Sequence, residues 1–323
     1  MDGISIIVCC YNSENKLPET IKHLAQQRVP EKIKWEIIII DNASKDNTLK
    51  VAINEWSKYC KDVPFKIDKE DQQGLMYARE KGKSVAVYDL LLFCDDDNWL
   101  DDDYVNNAYT IMTNNPNISI LGGQTFPIFE SNPPNWFIDH IKYFAIGQQN
   151  QYSADITNSR GWVWGAASIY RADLFKLLKE KNYSLFLTGR LGDKMTTGED
   201  VELCYIAKLL GYTIYYDDSL KCKHFMSKNR FDLDKFYELC KANGRSLPVL
   251  RLYDPKIPIN RVIQLINIKN KIKSIIKYKI YHNRKGISQE VIWYYESIGE
   301  IYGSLNIITN LHKFKSNLAK LLK

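Results

Sequence analysis

The chain has 323 residues, of which 45% are hydrophobic and 25% charged, with a formal net charge of +6. That balance excludes a disordered or fibrous chain and allows a full hydrophobic core. No run approaches the ~18 apolar residues of a membrane-spanning helix, and MDGISIIVCC lacks both the basic start and the apolar length of a signal peptide. Seven cysteines, an odd number with no Cys-x-x-Cys pair, suit buried free thiols in a reducing compartment, so a cytoplasmic protein is expected.

Short apolar runs alternate with helical patterns over the first hundred residues. Ile4–Cys10, Trp35–Ile40, Phe65–Asp68 and Asp89–Cys94 are largely apolar on both faces, which predicts buried parallel strands. Leu17–Gln27, Thr48–Tyr59 and Leu75–Val85 carry helical periodicity between them. Such alternation predicts a parallel sheet with helices on both faces. Three strands run into polar residues: Tyr11-Asn12-Ser13, Asp41-Asn42 and Asp95-Asp96-Asp97. Open α/β sheets bind ligands outside the carboxyl ends of their strands, so these three ends predict one binding rim. The next acidic triplet, Asp101–Asp103, is expected to cap a helix starting near Tyr104.

Beyond Asp103 the order becomes mixed. Ile118–Thr125 and Trp162–Tyr170 read as strands, Asn182–Asp193 as a loop, and Thr213–Tyr216 as a last short strand. Gly198–Leu210 reads as a helix closed by Gly211. From Met226 onward the pattern is helical to the end.

Carboxylates ending a buried strand suit Mg²⁺ or Mn²⁺, which take oxygen ligands and leave positions open for phosphate. Asp95 and Asp97, two residues apart on an extended segment, would point the same way and share one ion. In the helix after Gly198, Leu203, Ile206, Ala207 and Leu210 form the buried stripe. Glu199 and Asp200 flank that side at the helix N-terminus and so face the interior. The N-terminus favours their ionised forms, as a general base requires.

The segments SIIVCCYNSE, EIIIIDNASKDNT, GLMYAREKG, LLFCDDDNW and TGEDVELCYIAKLLGY occur in this order. Together they resemble the family 2 glycosyltransferases of the GT-A fold, over roughly residues 3–226. The resemblance implies an α/β fold, a Rossmann-like and mostly parallel sheet flanked by helices, with a C-terminal helical extension. The catalytic domain would span 1–228, with a nucleotide-binding half over about 1–103 and an acceptor half over about 104–228; the helical region would be 229–323. Carried over by position, Tyr11 and Asn12 would line the nucleotide, Asp41 would read the base, and Arg79 would lie near the nucleotide, although Glu80 replaces the family's Asn beside it. Asp95 and Asp96 would face ribose and sugar. Asp97 would be the chief ligand of a Mn²⁺ or Mg²⁺ ion bridging the diphosphate, with Asp95 and His224 as further ligands. Asp200 would be the base and Glu199 would orient the acceptor. Trp164 and Gly165 would approach donor sugar and acceptor, and the loop Gly189–Lys194 would contact phosphate.

The implied activity is inverting transfer of a sugar from a nucleotide-sugar, a UDP-sugar in particular, to a hydroxyl of a saccharide or lipid-linked acceptor in surface polysaccharide biosynthesis. A catalytically inactive nucleotide-sugar-binding or scaffold relative is a second reading, against which the retained Asp97, Glu199 and Asp200 count. A sugar-phosphate nucleotidyltransferase is a third; it needs a Gly-rich basic loop after the first strand, where this chain has CCYNSENKLP. In the tail, Ile266–Ile280 interleaves Ile with Lys, a pattern that suits the surface of an anionic membrane, packing on the catalytic domain, or a homodimer interface. Nucleic acid is not an expected partner, because these basic residues alternate with aliphatics rather than stacking aromatics.

Overall fold

Strand ends converge on one side of the sheet because the first four strands all run the same way. The computed structural model describes residues 1–59, 61–190, 196–281 and 287–322. β1 (Ile4–Cys10), β2 (Trp35–Asp41), β3 (Phe65–Lys69) and β4 (Leu90–Asp95) are parallel, with β1 between β2 and β4 and β3 outside β2. The Ile, Leu and Val side chains of β1, β2 and β4 are buried, as apolar runs on both faces of a strand require, whereas β3 at the sheet edge is only half-buried. The crossovers are α1 (Leu17–Ala25), α2 (Thr48–Trp56) and α3 (Leu75–Val85), within the ranges expected from periodicity.

The remaining elements follow as β5 (Asn98–Leu100), α4 (Tyr104–Asn114), β6 (Ile118–Phe129), α5 (Asn135–Asp139), β7 (Ala154–Asp155), β8 (Ser168–Arg171), α6 (Ala172–Glu180), α7 (Glu199–Leu209) and β9 (Thr213–Met226). They extend the sheet to the order β3-β2-β1-β4-β8-β6-β9-β5, with β7 on β9. β8 is antiparallel to both β4 and β6, while β6 and β9 are parallel. Apolar clusters fill both faces of this mostly parallel sheet. The chain then forms α8 (Leu233–Leu250), α9 (Arg261–Tyr281), α10 (Gln289–Thr309) and α11 (Leu311–Leu322). Among the described residues no helix is long and apolar enough to cross a membrane.

Three expectations change. Of Trp162–Tyr170 only the end is strand, because the amides of Trp164 and Gly165 donate to side chains, Gln149 Oε1 and Asp200 Oδ2, each at 2.7 Å. An amide spent on a side chain cannot join a ladder. The last strand runs on past Tyr216 to Met226, resuming after a register break in which Gly122 faces Tyr216 but Gln124 faces Lys221. The polar stretch Asp217-Asp218-Ser219 falls within that break and hides the continuation in sequence. Asp101–Asp103 does not cap α4 through a side chain. Asp103 instead receives two bonds from Arg28, Nε at 3.0 Å and Nη2 at 2.6 Å, an exposed pair.

α7 closes as its Gly211 predicts: Gly211 sits at φ +83°, its amide bonds to the Lys208 carbonyl, and the Tyr212 amide bonds to the Ala207 carbonyl. The C-terminal helices are fastened by α10 lying along α8 at points where a glycine of one meets the backbone of the other. A methyl at Gly244 would come within 2.1 Å of the Glu296 carbonyl oxygen, and one at Gly299 within 2.0 Å of the Lys241 carbonyl oxygen. Gly244→Ala is therefore expected to destabilise the protein by about 1–3 kcal/mol through overpacking, read as a lower denaturation midpoint in urea.

Candidate active site

The rim is built from the loops after β1, β2 and β4, and these loops hold one another. Asn12 is left-handed at φ +51°; its amide donates to Ser44 Oγ at 2.9 Å and its side-chain oxygen accepts from the Lys45 amide at 2.8 Å. Asp46 accepts from the Glu14 amide at 3.1 Å, and Glu14 accepts from the Asn47 amide at 3.0 Å. Asp41 ends β2 almost fully buried and accepts from the Ser44 amide at 3.3 Å. Asn42 beside it bonds to the Glu70 and Gln72 carbonyls and accepts from the Gly74 amide, tying the segment that leads into α3. Tyr11 is exposed at the mouth.

The acidic triplet does not continue as an extended segment. β4 ends at Asp95, and Asp96 and Asp97 form a turn into β5, so the three carboxylates find different surroundings. Asp96 faces the β1–α1 loop, accepting from Ser13 Oγ with Lys16 Nζ at 3.6 Å. Burial, with the neighbouring charge of Asp97, pushes it up to about 6. Asp97 is buried too, yet it is held well below the usual carboxylate range: Arg230 Nη2 lies 2.8 Å from Oδ2, and His224 Nε2 lies 3.5 Å from Oδ1. β5 makes this possible by pairing Asn98 with His224 across to β9, and the Phe225 amide donates to the Asp97 carbonyl.

Arg230 and Lys16 were not singled out from sequence. Arg230 lies in a short 3₁₀ turn, Lys228–Phe231, just after β9, in a region that reads as the start of a helical tail. Its one available signal is a basic residue shortly after a strand that neighbours an acidic strand end. Among the described residues no group of three His, Cys, Asp or Glu side chains could by itself hold a metal ion. His224 Nδ1 is buried without a partner while Nε2 faces Asp97, so one carboxylate and one imidazole converge. That set suits a Mg²⁺ or Mn²⁺ ion taking its other ligands from phosphate and water, and does not make a protein cage.

On the other side of Asp95, α7 brings its first two residues to the rim. Gly198 precedes it at φ +96°, in a niche where a methyl would meet Leu187 and Ser246, so a side chain there would be both strained and crowded. Asp200 Oδ2 accepts from the Gly165 amide at 2.7 Å and Oδ1 from the Val201 amide at 2.8 Å. Glu199 lies 3.4 Å from Arg79 Nη1, and the Arg79 guanidinium packs 5.3 Å from the Phe93 ring centroid. Arg79 is buried and also feels the charge of Asp95. Gly165 is a matter of room: a methyl there would sit 3.2 Å from Asp200 Cβ and 3.4 Å from Arg79 Nη2.

Burial outweighs the helix N-terminus at this pair. Glu199 is pushed up to about 7 by burial and by the charge of Asp200, with Arg79 pulling the other way. Asp200 is also raised by burial, against the pull of the Gly165 and Val201 amides. Trp164 is buried behind Gly165, and Arg160 lies over both indoles, 3.7 Å from the Trp162 centroid and 4.8 Å from that of Trp164. Arg190, in the loop expected to contact phosphate, accepts from the Leu75 amide through its carbonyl; Leu191–Lys194 lie outside the described residues.

This architecture and rim define a glycosyltransferase. Residues 5–178, more than half of the chain, match glycosyl transferase family 2, and the chain belongs to that family. It is 22% identical over 288 residues to the glucosyl-dolichyl phosphate glucuronosyltransferase of Haloferax volcanii, covering 85% of this chain and 87% of that protein. It is 25% identical over 276 residues to the poly-β-1,6-N-acetyl-D-glucosamine synthase of Staphylococcus epidermidis, covering 85% of this chain but 62% of the synthase. Its structure resembles S. aureus TarS 1-349, solved in complex with UDP-GlcNAc, with a TM-score of 0.56 and 16% identity over 99% of this chain and 89% of TarS 1-349. The fold is GT-A, with added C-terminal helices.

α7 is anchored one turn below the acidic pair. Glu202 is fully buried; it accepts from the Phe186 and Leu187 amides at 2.9 and 2.8 Å and from the Tyr253 hydroxyl, which in turn contacts Tyr183. Glu202→Gln replaces an all-acceptor group with one that must point donors at donors. It is expected to cost about 1–3 kcal/mol of stability, read by denaturant unfolding, with the far-UV circular dichroism unchanged.

Proposed function

We propose that the protein is an inverting transferase that moves a sugar from a UDP-sugar to a hydroxyl of a saccharide or lipid-linked saccharide in surface polysaccharide synthesis. The observation that carries this reading is Asp200: a half-buried carboxylate on the rim of a nucleotide-binding sheet, oriented by two backbone amides. The relatives support it: one is a glucosyl-dolichyl phosphate glucuronosyltransferase, and TarS has been solved with UDP and with UDP-GlcNAc.

Asp41, Asn12 and Tyr11 form the nucleotide side of the site, with Asp41 available to the base. Asp97 and His224, with Asp95 nearby, would hold Mn²⁺ or Mg²⁺. Such an ion, when bound, acts as a Lewis acid toward the charge that develops on the departing diphosphate. Lys16 and Arg230 add fixed positive charge at the same carboxylates. Asp200 accepts the proton of the acceptor hydroxyl as the oxygen attacks the anomeric carbon, and UDP leaves from the opposite face. A single displacement of this kind inverts the anomeric centre. Glu199, held by Arg79, orients the acceptor, and Trp164 with Gly165 closes the pocket beside the reacting carbon.

The test is UDP release from a panel of nucleotide sugars with Mn²⁺. The wild type should release UDP slowly without acceptor, and Asp97→Ala should fall by about two orders of magnitude; failure of every nucleotide to bind, with or without metal, would sink the proposal. Asp200→Asn should keep nucleotide affinity while turnover drops on the order of 10²–10⁴-fold.

The acidic pair also sets a pH dependence. A base must be deprotonated to act, and burial raises Asp200 above the usual carboxylate range, so kcat/KM should decline on the acid side from a higher pH than an ordinary aspartate would give. Burial and the charge of Asp200 raise Glu199 to about 7, so a limb near neutrality that disappears in Glu199→Gln would report Glu199. An unmoved limb would separate Glu199 from the base.

A further inference from the structure

Helix α9 leaves a stripe of large aliphatic side chains on the outside of the protein. The face turned toward the protein mixes half-buried Ile263, Ile268 and Ile275 with Gln264, which is 2% exposed, and Lys271, whose Nζ lies 2.7 Å from Glu300 Oε1 on α10. The opposite face, at helical spacing, carries Val262, Leu265, Ile266, Ile272 and Ile276, between 44% and 63% exposed. α9 packs mainly on α10, which itself lies on α8, so this apolar stripe is the outermost layer of the C-terminal helices. A helix face that met only water would carry polar side chains there instead.

Charge says what covers the stripe. From Arg261 to Tyr281 there is no Asp or Glu. Lys269 and Lys273 lie within the apolar stripe, and Lys277 and Lys279 lie at its margins, all exposed and without an ion pair among the described residues. A second copy of the same face would bring these lysines against one another, which opposes self-association. A surface that is both apolar and anionic satisfies both components: aliphatic side chains enter the boundary between headgroups and acyl chains, while lysines keep their ammonium groups at the phosphates.

We propose that the outward face of α9 docks the protein on an anionic lipid bilayer, lying in the membrane plane. The inference rests on α9 alone and not on the transfer reaction. Bilayer binding is then interfacial, strengthened by negative lipid and weakened by salt.

The experiment is flotation of the full chain with vesicles of pure phosphatidylcholine and of equimolar phosphatidylcholine and phosphatidylglycerol. The wild type should float with the anionic vesicles and stay behind with the neutral ones. Ile266→Asp with Ile276→Asp should abolish flotation, and Lys269→Gln with Lys273→Gln should lower the partition coefficient by roughly tenfold or more. Both pairs should melt like the wild type, since the changed side chains point outward, and should still release UDP from nucleotide sugar. Absence of flotation at low salt, or flotation indifferent to both pairs, overturns the proposal. So does a dimer in sedimentation that Ile266→Asp with Ile276→Asp dissolves while vesicles stay unbound. Loss of UDP release with flotation intact would count against the enzyme reading and leave the membrane face standing.

Discussion

Arg79 is the cation on which the rim depends. Its guanidinium is buried against Phe93 within reach of Glu199, and it balances Asp95 at the end of β4. Without it, Glu199 and Asp200 would lose its balancing charge, and burial would drive them further toward taking up protons. An ion pair so deep adds little to net stability, because desolvation cancels much of the attraction. Its value here is electrostatic: its charge pulls both acids down against burial, leaving Glu199 at about 7.

The two acidic ends of the cleft are handled by different means. At Asp97, Arg230 and His224 come from β9 and the turn after it, and they hold a carboxylate fully ionised. At Asp200, two backbone amides do the orienting while burial keeps the group basic. One site is therefore suited to stabilising charge and the other to accepting a proton, a division made by environment rather than by residue type. Glu202 and the packing of α10 on α8 hold α7 from behind, so the C-terminal helices support the end of the cleft that carries Glu199 and Asp200.

Much of this was legible from the residues. Strands apolar on both faces can be buried only in a sheet covered on both sides, and three such strands ending in Asp or Asn place those groups on one rim. The Glu199-Asp200 helix start and the Gly211 stop were equally plain, since both follow from local backbone rules. What misled was tertiary in origin. Trp162–Tyr170 reads as a strand until Gln149 and Asp200 claim two of its amides. The β9 continuation past Asp217-Asp218 is invisible because a register break, not a loop, absorbs the polar residues. Asp103 looks like a helix cap and is instead occupied by Arg28.

The sequence alone determined the class of sheet, the positions of its first strands along the chain and the identity of the acidic groups, because hydrophobic period and strand-end polarity are local properties. The tertiary structure decided which acids are paired, and with what. Arg230 lies 133 residues from Asp97 and Glu199 lies 120 residues from Arg79, separations over which no local pattern carries information. The outward face of α9 belongs to the same category: the sequence shows Ile and Lys interleaved along the helix, but only packing shows which of them are left outside.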